Sequence, residues 1–192
     1  RQELYGKQGL MRVMNYNEEK KNEFEYVGSE RIFAKENLVK YSGKLSNIME
    51  NIEKSGGIIL IYSQYIDGGC IPIALALEEM GFTRYGDKDS LFKSPPRDQL
   101  MIVGNNTESD GESKSSEFPA KYIMITGDVA VSGRNKKELK ACTDPKNING
   151  EIVKVVIISK AGSEGLDFKN IRQVHILEPW YNVNRTRQTI GR

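Results

Sequence analysis

Ser159-Lys160-Ala161-Gly162 and the residues after it, Ser163-Glu164-Gly165-Leu166-Asp167, set a hydroxyl, an ammonium, two glycines and a carboxylate in one short stretch. A serine hydroxyl can donate to a phosphate oxygen, and a carboxylate such as Asp167 can accept from a ribose hydroxyl. Gly162 and Gly165 permit a close backbone approach or a positive φ. An ordinary glycine-containing strand-to-helix turn satisfies the same pattern, so this stretch alone leaves both readings open. Its position is more telling. The preceding Ile152-Val153-Lys154-Val155-Val156-Ile157-Ile158 is a nearly continuous β-branched run, the signature of a strand buried on both faces of a parallel sheet. In open α/β sheets ligands gather beyond the carboxyl ends of the strands, where Ser159 to Asp167 would lie.

The elements around this stretch repeat the pattern. Gln173-Val174-His175-Ile176-Leu177 reads as another strand, ended by Glu178-Pro179-Trp180-Tyr181-Asn182. Asn184 to Arg192 then has a helix-compatible composition with three arginines. Upstream, Ile48, Met49 and Ile52 follow helical spacing from Ser46, and Ser55-Gly56-Gly57 stops the helix. Gly57 to Ser63 is the first buried strand, and Ile71, Ala74, Leu75, Leu77 and Met80 mark an amphipathic helix halted at Gly81-Phe82. Lys121 to Thr126 is a strand, Lys136 to Cys142 a short helix, and Thr143 to Gly150 a turn-rich connector. Between Phe82 and Lys121 the periodicity dissolves apart from a short strand at Leu100 to Val103. Asn105 to Ser116 is polar enough to predict a mobile surface excursion. Alternating strands and helices make the fold class α/β, a parallel sheet flanked by helices.

Three of these segments resemble, in order, motifs of the second RecA-like domain of superfamily 2 helicases and translocases. Ser159-Lys160-Ala161-Gly162 with Gly165-Leu166 is similar to motif V of the Swi/Snf-type branch. The turn Glu178-Pro179-Trp180-Tyr181-Asn182 resembles that branch's Asp-Pro-x-Trp-Asn stretch, and Gln188-x-x-Gly191-Arg192 resembles the start of motif VI. Tyr41-Ser42-Gly43-Lys44-Leu45-Ser46 through Ile61-Tyr62-Ser63-Gln64 is similar to the start of the domain through motif IV. Ile123-Met124-Ile125-Thr126-Gly127-Asp128 before Arg134 resembles the strand that ends in a glycine ahead of an arginine-bearing helix. The nearest likeness is to large-DNA-virus members, such as the poxvirus-type nucleoside triphosphate phosphohydrolase and early transcription factor helicases. Asp167 departs from the Swi/Snf pattern, which usually has Asn there.

Residues 1–40 are polar, with a charged run from Glu18 to Glu25, and read as an extended or lightly structured lead-in, folded only against a missing domain if at all. The resemblance implies a RecA-like helicase lobe over 41–192 with a surface insertion at about 82–120. It implies catalytic roles for Arg192, as an arginine finger reaching the γ-phosphate of ATP, and for Gln188, which couples nucleotide to the domain interface. Gly165 and Asp167 would line the nucleotide, while Ser63, Gln64, Gly127, Ser159 and Lys160 would contact the nucleic-acid backbone. The implied ligands are ATP and Mg2+, held mainly by an amino-terminal RecA-like lobe. The implied partners are nucleic acid, DNA ahead of RNA, that lobe, and viral RNA polymerase or transcription factors. Neither a Gly-x-x-x-x-Gly-Lys-Ser/Thr loop nor an Asp-Glu pair after a suitable strand is present. Gly43-Lys44-Leu45-Ser46 lacks the leading glycine and reads as a helix start. The chain alone is therefore expected to be inactive in ATP hydrolysis, its work being to complete another lobe's cleft.

Composition narrows the rest. Twenty-eight basic against 26 acidic side chains, a net charge of +2 over 192 residues, neither demand nor exclude a polyanionic partner, so any such surface must be local. Cys70 and Cys142 provide no metal spacing or disulfide framework. With no apolar run long enough to span a bilayer, the expectation is a membrane-free intracellular protein; the viral likeness adds host cytoplasm and virion. The start at Arg1 is expected to mark a piece of a longer protein. A noncatalytic nucleic-acid-binding or scaffold module of a transcription complex is the alternative function. A free-standing mononucleotide-binding domain is weakened by the lack of a complete phosphate loop. His175, Trp180 and Cys70 carry structural readings beside any chemical one: a bonded histidine within a strand, an aromatic packed at a strand end, and a buried thiol.

Overall fold

The computed structural model of the chain describes residues 5–86, 90–107, 113–132, 135–161 and 167–190; at 105–107, 113–115, 135, 185 and 189 only the backbone is described. In chain order, α1 (Gly6–Val13) and a hairpin of β1 (Met14–Asn17) and β2 (Asn22–Tyr26) lead to α2 (Lys35–Tyr41) and α3 (Gly43–Lys54). Next, β3 (Ile58–Ser63) runs through a π-helical turn (Ile66–Cys70) into α4 (Ile71–Glu79) and the short β4 (Thr83–Arg84). A hairpin of β5 (Met101–Thr107) and β6 (Ser113–Pro119) precedes β7 (Lys121–Ile125), α5 (Val129–Ser132) and α6 (Asn135–Cys142). The chain closes with β8 (Val155–Ser159), β9 (Ile171–Ile176) and α7 (Val183–Ile190).

Five strands form one sheet in the order β4-β7-β8-β3-β9, and every neighbouring pair is parallel. This is the RecA-like α/β architecture that the alternating pattern predicts. Strand side chains divide by period two. Ile59, Ile61, Tyr122, Met124, Val155 and Ile157 face the core beneath α3 and α4, whereas Ile58, Leu60, Tyr62, Ile123, Val156 and Ile158 face the layer that holds Ala141, Cys142 and Phe168. Burying each large aliphatic side chain contributes about 1.5–3 kcal/mol, which is why β3 and β8 are buried along their whole lengths. Helix α3 begins where Ser42 caps it, its hydroxyl accepting from Leu45 N–H at 3.2 Å. The Gly43-Lys44 stretch is thus a helix start, and the Lys44 ammonium donates to the Leu177 carbonyl at 2.6 Å.

Two regions depart from the sequence expectation. Residues 5–41 are not a lightly structured lead-in: Leu10, Met14, Phe24, Phe33 and Leu38 are buried in the same core as α3 and α4. Their apolar positions are too widely spaced for a single-element period, because a helix, a hairpin and a second helix each contribute one or two. The consequence shows in α4, which is buried on all sides instead of being amphipathic. Its two acidic residues are bonded inside. Glu79 accepts from Tyr26 O–H at 2.6 Å and pairs with Arg31, while Glu78 accepts from Tyr122 O–H at 2.6 Å and from the Leu91 and Phe92 amides. The second departure is the surface excursion. Its strand does not end at Val103 but pairs antiparallel from Met101↔Pro119 to Thr107↔Ser113. Backbone pairing, which needs no apolar periodicity, organises this polar segment. Phe118 is buried against Gly104, where an added Cβ would stand 2.8 Å from its ring.

Candidate nucleic-acid interface

Four loops meet at the carboxyl edge of the sheet, after β3, β7, β8 and β9. The β3 loop is held by a residue that sequence reasoning left without a role. Glu178, just past β9, accepts from Ser63 Oγ at 3.0 and 3.1 Å and from the Gln64 amide at 3.0 Å. Its negative charge strengthens these bonds to about 1.5–3 kcal/mol each. Leu177 N–H adds a bond to the Tyr62 carbonyl at 2.9 Å. The Ser63 hydroxyl is fully buried and engaged, so it shapes the loop and does not face solvent. Close packing makes this possible: a Cβ on Gly69, in the π turn, would fall 1.9 Å from Ser63 Oγ.

Across the sheet, Thr126-Gly127-Asp128 forms a tight hydroxyl-bonded turn. Thr126 and Ser132 share a bond of 2.9 Å between hydroxyls, and Asp128 caps α5 by accepting from Ala130 N–H at 2.9 Å. Gly127 is exposed, and an added Cβ there would sit 2.5 Å from that of Ala161. The β7 and β8 loops are therefore in direct contact. Gln64 and Ile66 from one side, and Ser159, Lys160 and Ala161 from the other, line an open cavity of about 300 Å³. Lys160 is exposed beside it and Ser159 is buried. Of the five residues assigned to the nucleic-acid backbone, Gln64, Ser159 and Lys160 share that cavity, Gly127 adjoins it through Ala161, and Ser63 supports it from behind. Such a ledge offers an ammonium, an amide side chain and a glycine backbone, donors that hold phosphates without reading bases.

The nucleotide assignments divide differently. Asp167 and Gln188 are exposed, the latter on α7. Gly165 and Arg192 lie outside the described residues, as does Arg134. No group of three or more His, Cys, Asp or Glu among the described residues is arranged to hold a metal ion. The structural readings of the remaining candidates fit the geometry. His175 Nε2 lies 3.0 Å from Gln173 Oε1, and burial lowers its pKa. Trp180 packs on Tyr62 with ring centres 5.0 Å apart. Burial, with Glu178 nearby, pushes the Cys70 thiol up to about 12, and burial does the same to Cys142. Neither is poised as a nucleophile.

Sequence reasoning missed Glu178, Lys21, Asp67 and Asp128 at this edge. Glu178 stands in a recognised turn, but its partners are 114 and 115 positions away. Lys21 was absorbed into a charged run, and no local pattern betrays a bond across the fold.

With the parallel sheet and its loops in view, the comparisons become decisive. The family model for the helicase conserved C-terminal domain matches residues 43–192. The chain belongs to the helicase C-terminal domain family. A termination factor NPH-I homolog of African swine fever virus is 33% identical over 162 residues, covering 79% of this chain and 22% of the relative. A protein of invertebrate iridescent virus 3, named provisionally as a helicase, is 26% identical over 160 residues, or 81% of the chain and 14% of the relative. One from Acanthamoeba polyphaga mimivirus, named provisionally as an ATP-dependent RNA helicase, is 29% identical over 153 residues, or 79% and 22%. The chain spans about a fifth or less of the length of these curated relatives. The helicase lobe thus takes in α3 to α7, and the folded segment before α3 precedes the matched region. No helix among the described residues is long and apolar enough to cross a membrane.

Proposed function

We propose that this chain is the carboxy-terminal lobe of an ATP-dependent superfamily 2 helicase or translocase that acts on DNA in viral transcription or genome handling. The observation that carries the reading is the joining of the β3, β7 and β8 loops around Gln64, Gly127 and Lys160, within a chain of the helicase C-terminal family. The termination-factor name of one relative supports the transcriptional setting. Gln64, Gly127 and Lys160 hold the sugar-phosphate backbone, buried Ser159 shapes the cavity beneath them, and Ser63 with Glu178 keeps the β3 loop in place.

ATP with Mg2+ supplies the phosphoryl group and the charge neutralisation of the reaction. Exposed Asp167 and Gln188 carry oxygen and amide groups suited to sugar and phosphate oxygens, and no group of three or more His, Cys, Asp or Glu among the described residues is arranged to hold the metal. The principal contacts belong to an amino-terminal lobe in this reading. Arg192 contributes the fixed guanidinium charge that such a cleft needs from its second side. Alone, the chain is inactive.

The test measures DNA-stimulated ATP hydrolysis by the full-length protein, comparing wild type with Arg192→Ala and using the 192-residue chain as a control. The stimulated rate is expected to fall by about a hundredfold or more in the variant, with the chain alone inert. Hydrolysis indifferent to Arg192 would overturn the finger. A folded protein with no stimulated hydrolysis would overturn the motor and favour the noncatalytic scaffold.

A further inference from the structure

The turn of the amino-terminal hairpin reaches the edge just described. Lys21 lies between β1 and β2 in the left-handed backbone region, φ 48°, and its side chain is 16% exposed. Its Nζ stands 2.9 Å from Asp67 Oδ1 and 2.8 Å from Asp128 Oδ2. Asp67 belongs to the π turn that follows Gln64, and Asp128 follows Gly127. One ammonium therefore joins the β3 and β7 loops while satisfying two carboxylates that would otherwise stand side by side beside a phosphate path. Burial works to lower the Lys21 pKa, but the hydrogen bonds that its ammonium donates to Asp128 and Asp67, together with the charges of those two carboxylates, outweigh it and raise the pKa; the Lys21 bond in turn is the chief cause that holds Asp128 below the usual carboxylate range. The hairpin bearing Lys21 is anchored from below. Phe24 is buried, Tyr16 stacks on it with ring centres 4.4 Å apart, and the Phe24 amide donates to the Leu91 carbonyl at 2.9 Å. The Lys7 and Glu18 side chains form a separate ion pair at this end of the molecule.

The geometry points to Lys21 as a positioning residue of the nucleic-acid interface, one that fixes the β3 and β7 loops in common register and offsets half of the charge of Asp67 and Asp128, holding both carboxylates away from a polyanionic backbone that approaches Gln64 and Gly127. This rests on the nucleic-acid reading above. Removing the ammonium would leave two negative charges facing a third, and juxtaposed like charges are the ordinary means by which an interface rejects a ligand. Two consequences separate neutralisation from mere support. Arg at position 21 keeps the charge and should keep the function. Removing the two carboxylates together with the ammonium should restore much of what loss of the ammonium alone destroys.

Binding of a fluorescein-labelled DNA duplex and of the matching single strand to the full-length protein, followed by anisotropy, tests this. Lys21→Met keeps the apolar stem and is expected to weaken binding about tenfold, as for the loss of one good phosphate site; Lys21→Arg should stay within about twofold of wild type. Adding Asp67→Asn and Asp128→Asn to Lys21→Met should recover most of the lost affinity. If wild type binds and Lys21→Met binds equally well, or the triple variant is as weak as the single one, the Lys21 inference is overturned while the nucleic-acid reading stands. A wild type that binds neither probe overturns both.

Discussion

The two poles of the sheet are each closed by one polar side chain, and the two closures are built differently. At the pole where β8 begins, Asn147 is fully buried. Its amide donates to the Cys142 and Val153 carbonyls at 3.1 and 3.2 Å and accepts from the Ile152 and Val153 amides at 2.8 and 2.9 Å. All its partners are backbone, and it is neutral. At the opposite pole Glu178 is half-buried and charged, and it binds a hydroxyl and one amide of a loop that borders an open cavity. A neutral staple with every bond used fixes a strand entry; a charged one at a solvent edge fixes a loop that borders an open cavity. In the nucleic-acid reading proposed above, polar closure serves stability at one end of the same strands and recognition at the other.

The largest effect should come from breaking the neutral staple. Asn147→Ala leaves backbone groups unpaired in a dry site and is expected to cost about 3–5 kcal/mol, read as a drop in the urea midpoint of the chain. A loss below about 1 kcal/mol would mean that water or a backbone shift replaces the amide, and the contrast between the poles would weaken. Nucleic-acid affinity of the protein that remains folded should be unchanged.

A smaller stability effect with a larger functional one is expected at the other pole. Glu178→Gln keeps the shape but removes the charge and turns one acceptor into a donor facing Ser63 and Gln64. The stability loss should be about 1–2 kcal/mol. DNA binding by the full-length protein should weaken severalfold as the Gln64 loop loses its anchor. If Glu178→Gln binds DNA as wild type does, the carboxylate is no more than a second structural staple and the distinction fails.

The same contrast explains what the sequence made legible. Strands β3, β7 and β8 announce themselves because burial on both faces demands continuous apolar runs, and α3 because Ile48, Met49 and Ile52 keep helical spacing. The loops Ser63-Gln64, Gly127 and Ser159-Lys160 could be placed because they follow those strands. What escaped depends on pairing between distant residues. Phe24 and Phe33 join a core assembled elsewhere, Lys21 meets Asp67 and Asp128 across the fold, and the polar β5-β6 hairpin is organised through backbone bonds that no side-chain period records. Glu178 was visible as part of a turn, but its task is set by strand β3, more than a hundred positions earlier.

The smallest effect concerns a buried cation at the stability pole. Lys154 is 3% exposed, and its ammonium donates to the Ser55 carbonyl at 2.6 Å. Burial lowers its pKa from the ordinary 10.5, against a weaker pull from Glu151. Between the depressed folded value and 10.5, the unfolded chain holds this proton and the folded chain does not. Stability should therefore rise with pH through that window, and below the folded value the burial cost of the charge is carried in full. Lys154→Met removes that cost together with one hydrogen bond, so its effect at neutral pH should lie within about 1 kcal/mol of zero. Its stability relative to wild type should decline as pH rises toward 10, because only wild type gains from losing the proton. Urea midpoints of both proteins across that range decide it: a difference that stays constant with pH would show that the Ser55 carbonyl stabilises the ammonium enough to cancel burial. This pole would then tolerate a charge as readily as the edge held by Glu178.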